Sequence, residues 1–288
     1  MLKLYRSILR RVLIYPLILL LIYWSLGCAL QRKMLYPREY TQPSPQAKDG
    51  VPGLEVITLQ TPEGPVEAWF IPGDAQPRTL PCARGPRRPT VIFAHGNAEL
   101  IDNNAKEFAR YREMGINVLV VEFRGYGRSA GSPSQAAIVA DFAAARKLIE
   151  ARPDVDPQRF IYHGRSIGGG VVCALAEEHE PAAMILESPF LSVKRMANRR
   201  GFPSFLVLDP FDNEAVVPKL ACPVLIMHGR RDSIIPFSDG QRLSQLAKRG
   251  TFVAYDCDHN DLPPDRIDYW RRIVSVLQES RAFSPLPE

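Results

Sequence analysis

The chain has 288 residues, 46% hydrophobic and 23% charged, with 26 Pro and 19 Gly. That balance fits one large globular domain and excludes disorder, a collagen repeat and a disulfide scaffold. The net charge of +5 sits at one end: residues 1–40 carry seven Lys or Arg and one acid, and the rest carries 29 against 30. A body so close to neutral lacks the broad phosphate-neutralising surface that non-specific nucleic-acid binding needs.

The basic end frames Val12 to Leu30, 19 uncharged residues that span about 28 Å as a helix against a hydrocarbon core of about 30 Å. Lys3, Arg6, Arg10 and Arg11 precede the run, and Arg32 and Lys33 follow it. It is long for a signal-peptide core and no small-x-small cleavage site follows, so residues 1–33 read as an uncleaved single-pass membrane anchor, with a signal sequence as the alternative. Ser25-Leu26-Gly27-Cys28 partly matches a lipoprotein acylation box, but Ser25 stands where a large apolar residue belongs. Both flanks are basic, and only the N-terminal amine tips the count towards a cytoplasmic N-terminus. Five cysteines, Cys28, Cys82, Cys173, Cys222 and Cys257, are odd in number and form no CxxC pair, so neither a disulfide framework nor structural zinc is expected.

Residues 34–53 read as a linker, since Tyr40 to Gly53 is rich in Pro, Gln, Ser and Lys and lacks periodicity. The main domain is placed at 54–288. Leu54 to Thr61 and Val66 to Ile71 flank Pro62-Glu63-Gly64-Pro65 and predict an antiparallel hairpin. Residues 72–89 are a Pro- and Arg-rich loop. The pattern then changes to short apolar runs separated by helix-length segments, the signature of buried parallel strands in an α/β protein. The runs are Val91 to Ala94, Ile116 to Phe123, Phe160 to Tyr162, Ala183 to Leu186, Pro223 to Met227 and Thr251 to Tyr255. Helices are expected at Ile101 to Met114, Gln135 to Ala151 behind a Ser134 cap, Gly169 to Glu178, Ser238 to Ala247 and Arg266 to Ser280. With the hairpin this makes an eight-stranded, mostly parallel sheet flanked by helices, with a short cap at 189–222.

Two G-x-S-x-G matches compete, Gly127-Arg-Ser129-Ala-Gly131 and Gly164-Arg-Ser166-Ile-Gly168. A nucleophile elbow needs a buried strand just before the first Gly and a helix just after the Ser. Ser166 meets both conditions, between Arg159-Phe-Ile-Tyr-His163 and Gly168-Gly-Gly-Val-Val. The Ser129 motif begins four residues beyond its strand, which ends at Phe123, and Gly131-Ser-Pro-Ser134 continues as loop. Gly125-Tyr-Gly127-Arg-Ser-Ala130 imitates a dinucleotide loop, but Pro133 blocks the helix start that would hold a pyrophosphate.

A serine nucleophile needs a base, and the base needs an orienting acid. On this type of elbow the acid follows the nucleophile and the His comes last. His179 lies about 20 Å along the elbow helix and cannot reach. His228 ends a strand in Met227-His-Gly-Arg-Arg-Asp232 and reads as a core residue. His259 follows the last strand, in Asp256-Cys-Asp-His-Asn-Asp261, and is the expected base. Asp232, on the loop after the Pro223 to His228 strand, is the expected acid, ahead of Asp209, Asp212, Asp239, Asp256 and Asp258. Neighbouring acids on one loop rarely converge on one ion, so no metal is expected at Asp256, Asp258, His259 and Asp261. The oxyanion needs donors from the residue after the nucleophile, Ile167, and from the loop His95-Gly96-Asn97-Ala98.

Residues 91–99, 118–131, 160–170, 223–232 and 259 resemble the α/β-hydrolase superfamily, with His-Gly-Asn-Ala at the oxyanion loop and Gly-Arg-Ser-Ile-Gly-Gly at the elbow. The chain also resembles the membrane-anchored serine hydrolases of the bud-emergence type, whose basic anchor ends in a segment similar to Gln31-Arg-Lys-Met-Leu-Tyr-Pro37. The resemblance implies that the second oxyanion donor is the Asn97 amide. It also implies hydrolysis of acyl-lipid or acylated esters or thioesters without a cofactor. The expected partners are a small-molecule or lipid ester and, through the N-terminal helix, the membrane. An amidase or peptidase using the same residues, and a silent membrane-tethered module, are the alternatives. Phe190 and Phe205, in the cap, are expected to line an acyl site.

Overall fold

The computed structural model describes residues 2–75, 86–280 and 282. Cys82 and most of the Pro- and Arg-rich loop lie outside the described residues. Eight strands form one sheet: β1 (Glu55–Thr61), β2 (Gly64–Ile71), β3 (Arg88–Ala94), β4 (Asn117–Val121), β5 (Val155–Arg165), β6 (Ala183–Glu187), β7 (Val224–Gly229) and β8 (Gly250–Tyr255). Their order is β1-β2-β4-β3-β5-β6-β7-β8. β1 and β2 form the expected hairpin, with Thr61 opposite Gly64, and β2 runs antiparallel to β4. Every pairing from β4 through β8 is parallel. The central strands are buried on both faces, which is why they read as unbroken apolar runs rather than alternating ones.

The helices are α1 (Leu2–Leu35), α2 (Ala105–Glu113), α3 (Gln135–Glu150), α4 (Ile167–Ala176), α5 (Val193–Arg199), α6 (Asn213–Val216), α7 (Phe237–Leu246) and α8 (Arg266–Gln278). Ser134 caps α3 as expected, its hydroxyl accepting from the Ala137 N–H. The helix expected over Ile101 to Met114 is split: Ile101–Asn104 is a tight 3-10 turn and α2 begins only at Ala105. The Glu122 carboxylate takes the Ile101 N–H and the Asn103 side chain takes the Leu100 N–H, so these groups are committed locally.

α1 is long and apolar enough to cross a membrane. Residues 34–53, expected as a loose linker, instead lie on the domain. Tyr36 is buried in the core beside Tyr126, Arg38 donates to the Gly131 carbonyl, the Ser44 N–H donates to Asp102, and Lys48 pairs with Glu67. Irregular backbone can lie against a domain where side chains supply partners, and polarity alone does not distinguish this from a free linker.

α4 sets the middle of the molecule. A Cβ on Gly168 would lie 2.1 Å from the Ala94 carbonyl oxygen at the end of β3, and one on Gly164 2.5 Å from the Gly168 carbonyl oxygen. The bare backbones let the helix start press onto the sheet. A Cβ on Gly169 meets nothing nearer than the Leu186 side chain, at 3.5 Å, an ordinary contact. We therefore predict that Gly168→Ala destabilises the fold by at least about 1–3 kcal/mol, whereas Gly169→Ala is neutral or stabilising by up to about 1 kcal/mol through helix propensity. Urea denaturation of both variants checks this.

Candidate active site

β5 ends at Arg165 and α4 begins at Ile167, so Ser166 alone makes the turn. Its backbone is at φ 52° and ψ −117°, a region an L-residue occupies at a cost of order 1–3 kcal/mol. The turn is held by the Ser166 N–H donating 2.8 Å to the Glu187 carbonyl and the Gly169 N–H donating 3.0 Å to the Ser166 carbonyl. The result projects Oγ from the carboxyl edge of the sheet.

His259 reaches the same point from the other side, in a short 3-10 turn after β8. Its Nε2 lies 3.1 Å from Ser166 Oγ and its Nδ1 lies 2.7 Å from Asp232 Oδ2. With Nδ1–H donating to the carboxylate, Nε2 is the acceptor left for the serine proton. The arrangement can move a proton from Ser166 to an imidazole whose emerging charge faces a carboxylate.

Asp232 lies on the loop after β7. Its Oδ1 accepts the N–H groups of Ile234 and Ile235 at 2.9 and 2.7 Å. His228 is fully buried, and its Nε2 lies 3.1 Å from Asp232 Oδ2 and 3.2 Å from the Ile235 carbonyl. Burial alone would raise the Asp232 pKa, but hydrogen bonds from His228, His259 and the Ile235 amide outweigh it and hold the carboxyl well below its usual range. The sequence reading of His228 as a core residue is right about burial and misses this contact. The two histidines lie 31 residues apart in the chain, and only the strand-end geometry brings both to one oxygen.

Further groups brace the loops. Asp258 accepts from the Ser233 N–H and hydroxyl and from the His259 N–H, joining the acid loop to the His loop. His95 Nε2 lies 2.9 Å from Glu122, and the Gly96 N–H donates 3.0 Å to Glu99, which also pairs with Arg165, the residue before Ser166. The loop carrying Asn97 is thereby tied to the elbow carrying Ile167. Asn97 Oδ1 accepts from Ala98 N–H and the Tyr126 hydroxyl, and Ala98 is itself left-handed at φ 56°. Beneath Ser166, Glu187 takes hydrogen bonds from His163 and Tyr269. Burial pushes its pKa up, and the hydrogen bond and positive field of His163, the charge of Arg165 and the Tyr269 hydroxyl bring it below the ordinary value.

Other sequence candidates fall elsewhere. Ser129 sits in a loop where its hydroxyl accepts from the Glu67 N–H. Asp209 holds Arg32 and the Gln135 N–H, Asp212 caps α6, and Asp239 pairs with Arg199. Phe190, expected against substrate, is a core residue at 2% exposure, packed where a Cβ on Gly170 would be 3.0 Å away. The small glycine face of α4 draws it inward. Phe205, the other expected contact, is 80% exposed on the cap. An open cavity of about 370 Å³ around Arg230, Phe237, Phe252 and Arg272 includes none of Ser166, Asp232 and His259.

The fold and this strand-to-helix serine define a hydrolase architecture, and the comparisons give it a family. A family model described as serine aminopeptidase, S33, matches residues 85–208. The uncharacterized protein YfhR of Escherichia coli O157:H7 is 32% identical over 208 residues, covering 70% of this chain and 71% of that one. Alpha/beta hydrolase domain-containing protein 17C of Xenopus tropicalis is 33% identical over 187 residues, covering 63% and 59%. Among solved structures, an esterase of Pyrococcus furiosus superposes with a TM-score of 0.61 at 19% identity, covering 82% of this chain and 93% of that one. The chain belongs to the α/β-hydrolases.

Because His228 is one of the donors that hold Asp232 ionised, we predict that His228→Ala raises the Asp232 pKa towards its unfolded value. Ionised Asp232 contributes stability that is fully present above the unfolded pKa and lost as pH falls through the lower, folded one. The variant should therefore have a smaller contribution to lose, and its loss should be complete at a higher pH than the wild type's. Denaturation midpoints followed from neutral pH down to about pH 2, with Asp232→Asn as the reference that lacks the titration, measure the difference. Equal loss of stability on acidification in wild type and His228→Ala would count against the contact.

Proposed function

We propose that the protein is a membrane-attached serine hydrolase that cleaves carboxylic esters or thioesters of acyl-lipid or acylated substrates through an acyl-enzyme. In this reading Ser166 attacks the carbonyl, and His259 takes the serine proton and delivers it to the leaving group. Asp232 orients His259 and stabilises the imidazolium, and the amides of Asn97 and Ile167 hold the oxyanion. Water then repeats the attack with the same base. The observation that carries the reading is the 3.1 and 2.7 Å chain from Ser166 through His259 to Asp232, set at a strained elbow on a helix N-terminus.

The N-terminal helix serves here as a single-pass anchor, and the narrower likeness to the bud-emergence type, resting on Gln31 to Pro37, belongs to this proposal. The aminopeptidase description of the matching family model favours one second reading, an amidase with the same residues.

We predict that Ser166→Ala abolishes hydrolysis and fluorophosphonate labelling while Ser129→Ala leaves both intact. Asp232→Asn should lower kcat by up to about 10⁴ by fixing the wrong imidazole tautomer. A panel of acyl esters, acyl thioesters and aminoacyl amides separates the two readings. Labelling that survives in Ser166→Ala and disappears in Ser129→Ala would move the nucleophile.

A further inference from the structure

α1 does more than lead into the domain. Within its apolar run, the Tyr23 hydroxyl donates 2.8 Å to the Arg200 carbonyl and Trp24 Nε1 donates 3.3 Å to the Gly201 carbonyl. Tyr23 meets Phe202 edge-on at 6.5 Å. A Cβ at Gly27 would lie 2.2 Å from the Phe202 ring, so the ring rests on bare helix backbone. One turn later Gln31 donates to the Leu206 carbonyl and accepts from the Leu208 N–H, and Arg32 pairs with Asp209 at 2.9 Å. The helix and the cap segment 200–209 therefore form one joint.

The joint fixes depth. Tyr23 lies seven residues inside the end of the run at Leu30, about 10 Å along a helix. If α1 spans the bilayer from Val12 to Leu30, the segment touching Tyr23, Trp24 and Gly27 lies at or below the headgroups of the same leaflet. Two features suit that place. Backbone polar groups in a membrane must be satisfied within the protein, and α1 side chains satisfy the carbonyls of Arg200, Gly201 and Leu206 and the N–H of Leu208. Phe205 and Leu208, 80% and 56% exposed, continue the apolar surface of the helix. Lys194 and Arg200 are exposed just ahead of them, where cations meet anionic headgroups, while Arg195 and Arg199 are paired with Glu214 and Asp239.

We infer that the cap is itself a membrane-inserting element, with Phe205 and Leu208 in the acyl-chain region of an anionic leaflet and Lys194 and Arg200 at its phosphates. The catalytic edge then faces the bilayer. Arg38 bonds the Gly131 carbonyl, in the loop after β4, and Asp209 bonds the Gln135 N–H at the start of α3, both at the carboxyl edge of the sheet, where Ser166 also lies. Substrate reaches Ser166 as a bilayer-borne acyl ester without crossing water. The inference rests on the reading of α1 as a span and of the site as an esterase.

The test uses the full-length chain in vesicles of phosphatidylcholine and phosphatidylglycerol. In Phe205→Trp, the fluorescence added over wild type should be quenched by phospholipids brominated on their acyl chains and spared by iodide. Leu208→Asp should keep kcat/KM on a soluble p-nitrophenyl ester within about twofold and lose about tenfold on an ester embedded in the vesicle, the scale of removing one buried apolar side chain from lipid. Quenching by iodide and not by bromolipid overturns the inference. Shielding from both quenchers overturns it in favour of a protein cover, a second copy included. Equal loss on both substrates makes the cap part of the active site. If wild type cleaves no ester, the esterase reading fails, while the quenching still decides where Phe205 sits.

Discussion

The left-handed backbone at Ser166 is the constraint on which the site depends. A serine does not hold φ 52° unaided. Bare glycines at 164 and 168 allow β3, β5 and α4 to close on one another, and the Glu187 carbonyl fixes the Ser166 amide. Each partner is itself fixed: Glu187 by His163 and Tyr269, and the end of β3 by the parallel strands on either side. Strain at one residue is thus distributed over three strands and a helix.

Around that point the protein uses carboxylates as joints between loops. Asp232 faces two imidazoles, Asp258 ties two loops together, Glu122 holds His95, and Glu99 links Gly96 to Arg165. Where the charge is buried, as at Asp232 and Glu122, such a pair adds little net stability compared with apolar packing, yet removing one partner strands the other. Their effect is positional. They hold loops that have no regular hydrogen-bonding ladder of their own.

The sheet was legible in the sequence because buried parallel strands leave continuous apolar runs, and the elbow because Gly-x-Ser-x-Gly has physical meaning only between a strand and a helix. Chain order then pointed to Asp232 and His259, which the fold brings into hydrogen-bond contact. The His228 contact, the Glu99–Arg165 link and the Asp258 clasp left no signal, since each depends on which strand ends become neighbours. Residues 34–53 misled for a related reason. Their polarity is that of a linker, and it is contacts of Tyr36, Arg38, Ser44 and Lys48 with partners elsewhere in the chain that tie them down. Phe190 shows the converse: an aromatic in a cap reads as a substrate contact until the glycines of α4 are seen to make room for it.

β8 is one of the two outer strands of the sheet, with β7 next to it, while β5 lies inside. His259 and Asp232 therefore ride on the margin, and Ser166 on the interior. Margins exchange their amide hydrogens by local opening, well before the molecule unfolds as a whole. An excursion that frees β8 takes His259 away from Ser166, whose strained turn stays built, and reclosure restores the contact. In such a molecule the joining of the two loops has a lower melting point than the fold.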